Sequence, residues 1–157
     1  MNKKPYIERT KTLKRSHDYR RRYFEHDKGW QIPPSVQGFL LKVFPNKAFE
    51  SLYFCPYCGR VMWDKPKIVV DHIHSIRRVQ YTKHLREHFK TLPDGVNHIS
   101  NLVACCVRCN GKKGKKGGLW VFRGIYGRYF MPIIRLILIL SVLTIVIFLA
   151  YGTTVNA

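Results

Sequence analysis

Four of the five cysteines fall in two C-x-x-C pairs, Cys55-Pro56-Tyr57-Cys58 and Cys106-Val107-Arg108-Cys109. A pair at this spacing turns two thiolates toward one point, and two pairs supply the four ligands of a tetrahedral zinc. About 47 residues separate Cys58 from Cys106, whereas a simple zinc ribbon has roughly 15–20. The fold therefore has to close a long loop on one ion, and that loop has room for further chemistry. A disulfide framework fits poorly: the cysteine count is odd, and Met1 to Tyr6 leads into a basic stretch with no apolar core. A reducing compartment is the expectation. A redox role for C-x-x-C needs a βαβ pattern that the neighbouring sequence lacks. Cys105 is left as a spare thiol, expected to be a small buried residue.

Short strand-like runs surround the pairs. Tyr53-Phe54 leads into the first, Val61-Met62-Trp63 leads out, Lys67 to Val70 runs into Asp71-His72, and Leu102 to Cys105 precedes the second. Residues 77–96 form an excursion in which Tyr81, Leu85 and Phe89, four apart, predict one short amphipathic helix ended by Pro93-Asp94-Gly95. Upstream, Val36, Phe39, Leu40 and Val43 recur at helical spacing after Ser35, an expected N-cap, and before Pro45. That helix is expected to pack in the core. Gly111 to Gly118 should begin as a helix and fray, since each glycine costs close to 1 kcal/mol there.

The formal charge is +19, far from the mixed surface of a typical soluble enzyme. All nine acids lie at or before Asp94 and every Lys and Arg at or before Arg135. Such a balance calls for a polyanionic partner, nucleic acid first and anionic lipid second. Residues 1–30 are a basic arm carrying Lys3, Lys4, Arg9, Lys11, Lys14, Arg15 and Arg20 to Arg22, with Tyr19, Tyr23 and Phe24 placed to anchor a helix starting near Ser16. His84 and His88 stand at i, i+4 without a carboxylate at the right offset, and are expected on a solvated face. His74 shares a strand face with His72.

The tail differs in kind. From Ile133 to Tyr151 the chain is uncharged apart from Arg135 and rich in Leu, Ile and Val, about 19 residues or roughly 28 Å as a helix, close to the hydrocarbon thickness of a bilayer. Arg135 can snorkel to the interface, and Trp120, Tyr126, Tyr129, Phe130 and Tyr151 suit interfacial belts. No cation follows Arg135, so the positive-inside bias puts the preceding domain in the cytoplasm and Gly152 to Ala157 across the membrane.

The ordered set Asp71-His72-Ile73, Gly95-Val96-Asn97-His98-Ile99-Ser100-Asn101-Leu102 and Cys106-x-x-Cys109-Asn110-x-x-Lys113 resembles the zinc-stapled branch of the HNH (His-Asn-His) endonucleases over Cys55 to about Lys113. The resemblance implies an α+β fold with a small ββα-metal core. It implies that His72 is a general base activating water, that Asn101 braces the loop orienting it, and that Asp71 and Asn110 bind a catalytic Mg²⁺ or Mn²⁺. Cys55, Cys58, Cys106 and Cys109 hold the structural zinc. The expected products carry 5′-phosphate and 3′-hydroxyl ends. DNA phosphates are expected to meet Lys112, Lys113, Lys115, Lys116, Arg77 and Arg78. The expected organisation is a basic arm and packing helix over 1–50, the nuclease domain over 51–117, a juxtamembrane linker over 118–132 and a transmembrane helix over 133–151, making a single-pass membrane protein held in lipid by its C-terminal helix. The rival is a catalytically inactive, zinc-stabilised DNA-binding membrane tether. Because every residue assigned to chemistry lies before Gly118, a chain stopped there is expected to keep its site.

Overall fold

A computed structural model describes residues 16–47 and 49–155. The basic residues Lys3, Lys4, Arg9, Lys11, Lys14 and Arg15 lie outside the described residues, as do Asn156 and Ala157. The centre is an antiparallel pair, β4 (Ile68–His72) and β5 (Leu102–Cys106), in register from Ile68 opposite Cys106 to His72 opposite Leu102. All five β5 residues are buried, so the strand is covered on both faces. Its run of Leu, Val, Ala and Cys suits that position. Helix α5 (Val107–Lys113) follows directly and completes a ββα unit. It ends at Gly114, with φ of +48°, inside the Gly111 to Gly118 stretch expected to begin as a helix and fray.

A second sheet, β1 (Trp30–Gln31), β2 (Ser51–Phe54) and β3 (Val61–Met62), is antiparallel throughout. The β2–β3 connection is the first cysteine knuckle, closed by the Cys55 N–H donating to the Arg60 carbonyl at 2.9 Å. Helix α1 (Ser16–His26) is stitched to the ββα unit. Tyr23 is buried and its hydroxyl accepts from the Ala104 N–H at 3.0 Å while donating to Asp27 at 2.7 Å. Arg20 donates to the carbonyls of Ile68 and Lys65, and Arg22 pairs with Asp94 at 2.6 Å.

Three expectations need correction. Helix α2 spans Pro34–Val43 with Pro33 as its cap, so Ser35 lies inside the helix and caps nothing. Pro34, whose fixed φ suits a first helical position, starts it instead. More consequentially, α2 has no buried residue: it is regular but not core. The 77–96 excursion is two helices, α3 (Ile76–Tyr81) and α4 (Lys83–Lys90), broken at Thr82 with φ −110° and ψ 111°. The break turns Tyr81 out to 77% exposure, while Phe89 joins Val79 and Val96 in a small satellite core.

Helix α6 runs from Leu119 to Val155, roughly 55 Å at 1.5 Å per residue. The stretch expected as a linker is thus helix, and it is docked on the first knuckle. Trp120 meets Tyr57 at 5.3 Å between ring centroids. A Cβ on Gly127 would come within 2.0 Å of the Pro56 carbonyl oxygen, and one on Gly124 within 3.0 Å of Ile73 and 3.3 Å of the Tyr57 hydroxyl. On the knuckle side, a Cβ on Gly59 would meet the Met131 oxygen at 2.2 Å. Pro132 deletes one helical hydrogen bond where the docked half gives way to the apolar half. That half makes α6 the one helix among the described residues long and apolar enough to cross a membrane, and none of its most apolar window is buried.

The docking revises where the chain can be cut. Stopping at Gly118 uncovers Tyr57, Pro56 and Ile73, whereas stopping at Arg135 keeps the glycine contacts. The shorter chain is expected to melt about 10 °C below the longer one, the equivalent of roughly 2 kcal/mol in a domain this size. Equal melting temperatures in calorimetry would show that the docked half contributes nothing.

Candidate active site and metal centre

The two knuckles meet. The Sγ atoms of Cys55, Cys58, Cys106 and Cys109 all lie within 4.8 Å of one another, with Cys58 and Cys106 at 3.9 Å. A zinc with sulfur at about 2.3 Å has ligand edges near 3.8 Å, whereas a disulfide needs about 2.05 Å. The donor set therefore fits zinc. Local geometry explains why these residues converge. Gly59 turns the first knuckle with φ of +67°, and Cys106 ends β5 while Cys109 sits in the first turn of α5. Burial pushes the Cys55 thiol up to about 12. Burial also acts upward on Cys106, but hydrogen bonds from the Cys109 backbone and the neighbouring thiols hold it below its ordinary value. Ionising four crowded thiols in this setting requires a compensating cation.

Behind the knuckle, the end of β4 presents Asp71 and His72. Tyr57, from between the first two cysteines, donates its hydroxyl to Asp71 Oδ2 at 2.8 Å. Lys113, fully buried, puts its ammonium 3.0 Å from the same oxygen and 2.6 Å from the His72 carbonyl. Oδ1 of Asp71 has no such partner among the described residues. The His72 ring is held by Nε2 donating to Asn97 Oδ1 at 2.8 Å and lies 5.2 Å from the Tyr19 ring. Burial keeps its pKa below the ordinary imidazole value, against the opposing pull of Asn97 and Asp71. Asn101, 1% exposed, ties the segment after His72 to the turn carrying Asn97. Its Oδ1 accepts from the His74 N–H at 2.7 Å, and its Nδ2 donates to the His74 carbonyl at 3.1 Å and the Val96 carbonyl at 2.9 Å.

A family model described as HNH endonuclease matches residues 55–116. Residues 55–116 are thus similar to HNH endonucleases. No curated protein and no solved structure matches the chain.

Within and beside the matched segment the other expected residues separate into groups. Asn110 is half-buried and stands one turn before Lys113 on α5, hence on the side of the helix that meets the end of β4. Lys112, Lys115, Lys116 and Arg77 are exposed. Arg78 lies against the backbone of Gly117, which joins the α3 cations to the Lys112–Lys116 turn as one surface. Lys113 departs from expectation. Its ammonium is buried on Asp71, so it serves the site from within and has no face for a phosphate. His84 and His88 are exposed, as their pattern predicts. His74 packs against Phe89 at 5.9 Å, its Nδ1 buried without a partner among the described residues.

Motif reading gave Tyr57 and Asn97 no role at the site, and gave Lys113 a phosphate contact instead of its place on Asp71. Tyr57 and Lys113 were within reach of it. One sits inside a ligand knuckle, and the other lies three residues past Asn110 on the same helical face. Asn97 meets His72 only through the 73–101 connection, which no local pattern encodes.

Proposed function

We infer that the protein is a metal-dependent endonuclease that hydrolyses phosphodiester bonds in DNA while tethered to a membrane by α6. The observation that carries this reading is the fixed His72 ring beside Asp71 in a segment matched to HNH endonucleases. Because Asn97 Oδ1 can only accept, Nε2 is the protonated nitrogen and the Nδ1 lone pair is left to take a proton from water. The hydroxide so formed attacks phosphorus, and the bond to the 3′ oxygen breaks. Asn101 keeps the base in place through its three backbone contacts. A Mg²⁺- or Mn²⁺-type cation would supply charge stabilisation at the leaving oxygen, held by Asp71, through its free Oδ1, and by Asn110. Lys112, Lys115, Lys116, Arg77 and Arg78 form the matching phosphate surface. The cationic domain faces the cytoplasm, and the end of α6 lies across the bilayer.

One observation favours the rival reading, an inactive DNA-binding tether. Lys113 neutralises much of the Asp71 charge that a divalent cation would use. Incubating purified full-length protein with supercoiled plasmid in Mg²⁺ decides between them. The nuclease converts plasmid to nicked or linear forms and stops in EDTA, whereas the tether shifts its mobility without cutting.

A further inference from the structure

Helix α2 has the periodicity of a core helix, yet among the described residues none of its side chains is buried. Phe39 is 65% exposed, and Val36, Leu41 and Val43 are exposed beside it. The apolar surface continues past the helix. Phe44 meets Phe49 at 5.9 Å and Phe49 meets Trp63 at 5.8 Å between ring centroids, with Trp63 and Val61 both exposed. Single exposed apolar side chains need no explanation, but a contiguous ridge of them marks a binding surface.

Its position indicates what it binds. Val61 stands two residues after Gly59, and Gly59 lies against α6 at Met131 and Arg135. Arg135 also donates to the Cys58 carbonyl at 3.4 Å. Beyond Arg135 the helix is uncharged, so this is the level at which α6 leaves the domain. Trp63 is four residues from Gly59, at most roughly 14 Å at strand rise. The charges agree. A cavity of about 1040 Å³ beside Trp63 is bordered by Arg60, Lys65, Lys67 and Arg108. Lys65 and Lys67 are held by Glu50 and Asp64 at 3.2 and 2.8 Å, while Arg60 and Arg108 have no acidic partner among the described residues.

We propose that α2, Phe49 and Trp63 form a second membrane-contacting surface, which rests on the headgroup region of an anionic bilayer beside the span of α6. Aromatic side chains favour that depth, and guanidinium groups favour the anionic phosphates around it. A nucleic acid would stack on the rings but gains nothing from Val36, Leu41, Val43 and Val61. Two contacts fix the tilt of the domain as a single span cannot. This surface rests on the reading of α6 as a transmembrane helix, so its test has to separate the two.

The full chain carries three tryptophans, and Trp30→Phe with Trp120→Phe leaves Trp63 alone. A second reporter is Phe39→Trp in a chain with all three replaced by Phe, at a site where exposure makes the change tolerable. A third, Phe148→Trp in the same background, reports the span. Each is reconstituted into phosphatidylcholine–phosphatidylserine vesicles with and without brominated acyl chains, and zinc content verifies folding. The expected result is that bromine removes at least half the emission of all three reporters. Quenching of Phe148→Trp alone, with Trp63 and Phe39→Trp emitting as water-exposed indoles, overturns the surface and leaves the span. Blue-shifted but unquenched emission at Trp63 overturns it in favour of a second copy or another protein. Quenching of Trp63 by added oligonucleotide alone overturns it in favour of DNA. No quenching of Phe148→Trp removes the span, and the surface with it.

Discussion

Cys106→Ser is expected to unfold the four-cysteine domain, whereas the neighbouring Cys105→Ser leaves it folded. Adjacent strand residues point to opposite faces: Cys106 turns to the other three ligand thiols, and Cys105, fully buried, turns into the core. A structural zinc contributes on the order of 10 kcal/mol, comparable to the whole stability of a small domain. Removing one of four thiolates forfeits most of that. Burying a serine hydroxyl in place of the Cys105 thiol costs only about 1–3 kcal/mol. The comparison needs circular dichroism melts and elemental analysis of both variants, with about one zinc per chain expected in the wild type. A Cys106→Ser chain that keeps its zinc and its melt, beside an unfolded Cys105→Ser chain, would place the second knuckle in the wrong register.

The knuckles and the strands beside them were legible because their signals are local. Spacing fixes C-x-x-C geometry, and Leu102 to Cys105 is too short and apolar to be anything but a buried strand in this context. Helix α2 misled for an instructive reason. Its periodicity reports that one face is apolar, not that the protein supplies a partner for that face, and the described residues supply none. Tyr81 failed through backbone geometry, since the break at Thr82 destroys the alignment that a spacing of four implies. The docked half of α6 was hidden by its glycines. Gly124 and Gly127 look like weak points in a helix, yet their missing side chains are what lets the helix approach Pro56 and Ile73. Lys113 shows the limit of charge counting. One lysine in a run of exposed cations is buried on a carboxylate, and only tertiary structure distinguishes it from Lys112, Lys115 and Lys116.

His72→Ala is expected to lower plasmid cleavage by about 10²–10⁴-fold, the usual contribution of a general base, while leaving DNA affinity close to wild type. The affinity should survive because the exposed cations are separate from the ring, and β4 is held by its backbone pairing with β5, whatever side chain stands at position 72. Asn97→Ala tests the positioning argument within the same series. Losing the Nε2 acceptor frees the ring to rotate and to exchange its tautomer, so a smaller loss is expected, with zinc content and affinity unchanged. The required measurements are single-turnover cleavage rates and filter-binding affinities on the same preparations. A His72→Ala protein that cuts at the wild-type rate would remove His72 from the mechanism. One that neither binds nor folds would show that its hydrogen bond to Asn97 is structural, and would leave Asn97→Ala to decide whether the ring does chemistry.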